Sequence, residues 1–195
     1  MKRITANDIL PVAVYSRVRP VLRPLFITEK DCRRLPVGDH LTLLFENTQT
    51  AWYQIEEMLL AERIVDDEGI NHEIETYNGL LPKPGELAAT LLIEYPDAAE
   101  RDAQLGRLVG LERHLWMVVD GRRIPARFDE RQMSPKISAV QFIAFPMGAA
   151  ADPQSLLRLA AAGKIAVEVD HPHLNARAAI SGTLVSALSD DLSAR

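Results

Sequence analysis

One cysteine, Cys32, stands among 195 residues. A lone thiol excludes an intrachain disulfide and any iron–sulfur or zinc centre that needs several thiolates from one subunit. Lys30, Arg33 and Arg34 surround it with positive charge, as around a reactive thiol; the plainer reading is an idle one. Long apolar runs are equally scarce. None approaches the roughly 20 residues of a membrane-spanning helix, and the start from Met1 to Asp8 has no apolar stretch of the signal-peptide kind. A cytoplasmic protein that does not enter membranes is therefore expected. Familiar signatures are missing as well: no Gly-x-Ser-x-Gly elbow, no Walker loop, no dinucleotide fingerprint, no His-Glu-x-x-His, and no pair of Glu-x-x-His motifs on separate helices of the di-iron kind. Aromatic residues make up 6%, and Trp52, Tyr53 and Trp116 occupy helix or strand positions where core packing is the ordinary use.

The length suits one compact domain with its own core. Hydrophobic residues at 47% and charged residues at 25% match globular composition, and no repeat at a fixed period interrupts it. The net charge of −5 is uneven: +5 over residues 1–38, −11 over 39–115 and +1 beyond. A basic leading segment beside an acidic middle predicts pairing between the two, within the fold or between the subunits of a homodimer. It disfavours nucleic acid as a partner.

Thr5 and Asp8 suit a helix start. Apolar spacing at Tyr15, Val18, Leu22 and Leu25 predicts a helix, which Pro20 and Pro24 are expected to break. Arg34 to Glu46 reads as extended structure that turns at Gly38-Asp39 into a strand over 41–46. Helices follow over 49–64, capped by Asn47 or Thr48, and from Asp67 to a stop at Gly79. Next come a strand over 86–95, a helix opened by Asp97, and a hairpin at Asp120-Gly121 whose second strand Pro125 confines to an edge. A buried strand over 137–146, a helix capped by Asp152 and stopped at Gly163, a strand over 164–170 and a final helix from Ser181 to about Leu192 complete the series. Hairpin-type strands mixed with helices, without regular β–α alternation, predict an α+β fold. We expect one domain over 1–195 with a mixed, mostly antiparallel sheet and several packed helices, the helical segment 5–31 lying on a core over 34–192.

Carboxylates and imidazoles concentrate in two places. Glu68, His72 and Glu75, at i, i+4 and i+7, share one helix face and supply donors that a divalent ion takes, with Glu57 or Glu62 of the preceding helix needed to complete the set. Read without a metal, the same face is solvated surface with a weak Glu68–His72 pair. At 100° per residue Glu62 falls among Ala51, Ile55, Met58 and Leu59, so a partner is expected for it: arginine, histidine or a metal. Asp170-His171-Pro172-His173 closes a strand. Pro172 keeps His171 extended, which favours two imidazoles on one side for chelation, or a His171 general base oriented by Asp170. A turn in which Asp170 and His171 satisfy backbone groups is the plainer alternative. His40 and His114 adjoin strands and read as structural.

Leu41-Thr42-Leu43-Leu44-Phe45-Glu46-Asn47, Tyr53-Gln54-Ile55-Glu56-Glu57-Met58, Glu75-Thr76-Tyr77-Asn78, Gly85-Glu86-Leu87-Ala88-Ala89-Thr90 and Asp170-His171-Pro172 together resemble the bacterial family Domain of Unknown Function 3501, over nearly the whole chain. The resemblance brings no activity with it. It implies a gene neighbourhood of rubrerythrin-like and iron–sulfur oxidoreductase proteins. The expected function is thus an accessory or binding protein of a redox or peroxide-handling system, its partner a redox protein encoded nearby. The alternative is a small metal-dependent enzyme in which His171 and Asp170 act on substrate and Glu57, Glu62, Glu68, His72, Glu75 and His171 supply the ligands. That enzyme requires His171 to meet the acidic helices.

Overall fold

The computed structural model describes residues 1–129 and 137–193, and the fold is α+β as the sequence predicts. Five strands form one sheet in the order β1 (Arg34–Val37), β2 (Leu41–Phe45), β3 (Glu86–Ile93), β7 (Val140–Pro146) and β6 (Arg127–Phe128). Four more, β5 (Arg122–Pro125), β4 (Leu115–Val119), β8 (Ile165–His171) and β9 (Leu174–Ala179), form a second. Every described ladder is antiparallel, in line with the mostly antiparallel sheet the sequence predicts, though the strands divide between two sheets.

Alternation along the strands builds the space between the sheets. Leu41, Leu43 and Phe45 of β2 and Leu87, Ala89, Leu91 and Ile93 of β3 turn to the same core as Met117 of β4 and Val167 and Val169 of β8. Leu105 from α4 (Ala98–Arg107), Leu156 from α5 (Pro153–Ala161) and Leu188 from α6 (Gly182–Ser193) join it. Only Ala126 separates β5 from β6, so the chain passes between the sheets with no loop. The Asp120-Gly121 turn has positive φ at both residues, +48° and +80°, as a two-residue hairpin requires.

At the opposite side β1 comes up against β9. Gly38 adopts φ +68° there, and a Cβ on it would lie 3.0 Å from the Cβ of Ala176. Gly38→Ala is expected to lower stability by about 1–2 kcal/mol through left-handed strain and crowding. An unchanged urea midpoint would refute the tightness of this junction.

Three helices stand over the outer face of the five-stranded sheet: α1 (Val12–Cys32), α2 (Thr48–Glu62) and α3 (Asp67–Asn78). A second apolar cluster of Ile4, Ala51, Ile55, Leu59 and Ile74 binds α2, α3 and the leading segment. Asn47 caps α2, accepting from the amide of Thr50 at 2.8 Å, while Thr50 Oγ1 accepts from the Asn47 amide.

Two expectations fail for physical reasons. Helix α1 runs unbroken through Pro20 and Pro24. Both prolines and Ser16 are exposed, so the carbonyls of Ser16 and Pro20, which lose their amide partners, sit on the solvent side. The predicted stripe also splits: Tyr15 and half-buried Leu22 turn inward, while Val18 and Leu25 turn outward. Strand β9 was not foreseen because Leu174-Asn175-Ala176-Arg177-Ala178-Ala179 contains no β-branched residue and only one face of this edge strand is covered.

Candidate functional site

The metal-ligand set foreseen in the sequence does not assemble. Glu68, His72 and Glu75 are all exposed on α3, facing solvent. Glu57 is already occupied: both its oxygens take Arg19, at 2.7 and 2.8 Å, and Oε1 accepts from the Tyr15 hydroxyl at 2.6 Å. The Arg19 guanidinium holds the Glu57 carboxyl below the usual carboxylate range. This contact ties α1 to α2 and realises the expected pairing of basic leader with acidic middle. Glu62, expected to be partnered, lies exposed at the last residue of α2, and no ion pair among the described residues holds it. The buried carboxylate of this helix is Glu56 instead, 1% exposed, accepting from the Leu10 amide at 2.8 Å. Helix α2 is covered on several sides, so Glu56 finds no outward position, whereas Glu62 leaves the packed segment at the helix end.

His171, the last residue of β8, is buried, and none of those groups is among its contacts. Its Nε2 lies 3.3 Å from the Val109 carbonyl, and its Nδ1 accepts the His173 amide at 3.2 Å. Both ring nitrogens thus lie against backbone groups. Asp170 does not orient it. Successive residues of β8 face opposite ways, so Asp170 points outward and holds His114, Trp116 and Arg123 at 3.1, 3.0 and 2.7 Å. The His171 ring stands edge-on to His114 with centroids 5.2 Å apart, and burial pushes its pKa down, favouring the neutral form. Among the described residues no group of three or more His, Cys, Asp and Glu side chains is placed to hold a metal ion.

A cleft lies where the helical layer stands off the outer face of the five-stranded sheet. It has two adjoining lobes, of about 310 and 400 Å³, which share Glu46, Leu80, Thr90 and Phe142. Lys30 of α1 enters the smaller lobe beside Gln54, with Nζ 3.3 Å from Oε1 and 5.8 Å from the centre of the Tyr53 ring. No carboxylate among the described residues pairs with it, and burial lowers its pKa. Across the lobe Glu46 follows β2 and accepts from the hydroxyls of Thr50 and of Thr90, the latter at 2.6 Å. Sequence reading missed this pair. Lys30 was visible only as a neighbour of Cys32, and Glu46 only as the polar end of an apolar strand. The strand register that sets Thr90 near Glu46 joins segments 44 residues apart.

A second feature is the outward side of α1. Val14, Val18, Val21 and Leu25 are all exposed, Val21 at 70% and Leu25 at 63%. Their spacing is i, i+4, i+7 and i+11, within a sector of about 60° at 100° per residue, so they form a continuous apolar seam about 16 Å long. No acidic residue occurs between Val12 and Thr28, while Arg17 and Arg23 are exposed along the same helix.

Comparison with known proteins places these features in a wider group. The family model DUF3501, described as a protein of unknown function, matches residues 3–192. The chain is similar to a crystal structure of a novel protein of unknown function from Burkholderia pseudomallei K96243, at 36% identity and a TM-score of 0.87, covering 97% of this chain and 99% of that one. No curated protein matches the chain.

Proposed function

Because the chain belongs to the DUF3501 family, whose description assigns no activity, we propose a function from its surface chemistry: an accessory protein that docks an acidic, amphipathic segment of a partner protein on α1. The observation that carries this reading is the exposed seam of Val14, Val18, Val21 and Leu25. Single exposed apolar residues are ordinary, but four aligned at heptad spacing form a face that a second helix covers. The flanking charge selects the occupant. With Arg17 beside the seam and no carboxylate between Val12 and Thr28, an acidic partner gains complementarity. A twofold pairing of α1 with a second copy would instead bring two basic helices together.

The family resemblance supplies the first partner to try, a redox protein encoded nearby. Tagged protein expressed from its own operon is expected to bring down such a neighbour in a salt-sensitive complex, with recovery about tenfold lower for the Val21→Glu/Leu25→Glu variant. Recovery of no neighbouring gene product, or equal recovery with the variant, refutes the reading. A dimer that the same variant dissolves would assign the seam to a second copy and refute it too. The metal-enzyme alternative draws no support from the arrangement of its proposed ligands, since Glu57 is bound to Arg19 and His171 to backbone groups.

A further inference from the structure

We propose that the smaller lobe of the cleft binds a small zwitterion, an α-amino acid with an apolar side chain. Two unlike charges, Lys30 and Glu46, line it, supplied by different elements. Opposite charges facing one partly dehydrated space gain by closing on each other. Here each is held back: the Lys30 ammonium is given to Gln54 Oε1, and the Glu46 oxygens to Thr50 and Thr90. Neither forms an ion pair among the described residues.

A ligand that carries both charges completes both groups. Its carboxylate meets Lys30, with Arg34 also lining the lobe as a second cation. Its ammonium meets Glu46, whose oxygens keep acceptor capacity after taking one hydroxyl each. The two threonine hydroxyls fix the carboxylate in place before any ligand arrives, which reduces the ordering cost of binding. Leu92, Val140 and Phe142 supply an apolar wall from β3 and β7 for the side chain. A volume of about 310 Å³ lies at the lower end of small-molecule sites, a size for one amino acid rather than a peptide.

The experiment is titration calorimetry, paired with thermal shift, on the full chain with three probes: L-phenylalanine, N-acetyl-L-phenylalanine, which lacks the ammonium, and phenethylamine, which lacks the carboxylate. Phenylalanine is expected to bind and each analogue to bind about tenfold or more weakly. Lys30→Met should bring phenylalanine down to the level of phenethylamine, and Glu46→Gln should bring it to that of the N-acetyl compound. Val140→Trp, which fills the apolar wall without touching either charge, should weaken phenylalanine binding and serves if a charge variant does not fold. Leu25→Glu, on the docking seam, should bind phenylalanine as the parent does, so failure of one proposal is separable from failure of the other. Binding of none of the three probes by the parent at about 10 mM, a concentration far beyond specific recognition, overturns the proposal. Equal binding of phenylalanine and its N-acetyl derivative overturns it as well.

Discussion

Replacing Glu56 by glutamine is expected to stabilise the protein by about 3 kcal/mol at pH 8 and by almost nothing near pH 4.5. Burial raises this carboxyl from 4.5 to about 7, against the opposing hydrogen bond from the Leu10 amide. The folded chain therefore holds a proton there that the unfolded chain releases at lower pH. The stability gained from the neutral acid is fully present below pH 4.5, declines as pH rises, and is lost once pH passes 7. Glutamine keeps an oxygen to accept from Leu10 and carries no charge to desolvate, so the variant lacks this decline. Urea melts at half-unit steps from pH 5 to 8 measure it. Parallel stability curves for parent and variant would show that Glu56 does not titrate in this range.

A second large effect is expected at Arg33. Its side chain is 4% exposed and binds Glu29 on α1 and both oxygens of Asp191 on α6. Burial alone would lower its pKa, but the two carboxylates outweigh that and raise it. Arg33→Met leaves Asp191, itself 10% exposed, without its counter-charge, and a loss of about 3–5 kcal/mol is expected. For a chain of this size that corresponds to roughly 10 °C in the thermal midpoint. The double variant Arg33→Met/Asp191→Asn should recover a large part of the loss, because it removes the stranded charge. If the double variant is no more stable than the single one, the loss comes from packing of the arginine stem rather than from charge.

Local signals carried much of the architecture. Asn47, Asp97 and Asp152 each stand at the cap position where the spacing predicts them, and the strand expected over 86–95 is β3 with Leu87, Ala89, Leu91 and Ile93 buried. Such features depend on a few neighbouring residues, so periodicity and capping chemistry reveal them. What depends on tertiary placement was hidden. Glu56 and Glu62 lie on one helix with similar local surroundings; which of them is buried depends on what covers α2 and where that cover ends. In the same way Asp170-His171 reads as one polar motif, yet the strand pleat sends its two side chains to opposite faces. Lys30 and Glu46 acquire meaning only once the sheet register and the helical layer bring them to one cleft. No spacing in the sequence announces that.

The Arg33–Asp191 clasp also sets an order of events during synthesis. It joins residues 158 apart, so the end of helix α1 leaves the ribosome well before Asp191 and must wait for that stretch of chain before it is locked. Translation at about 5–20 residues per second makes that interval on the order of ten seconds. Throughout it the guanidinium of Arg33 can use Glu29 in the last turn of α1, four residues away, as a provisional counter-charge. The local pair keeps the arginine neutralised while the nascent chain grows, and the distant aspartate completes the enclosure when α6 arrives.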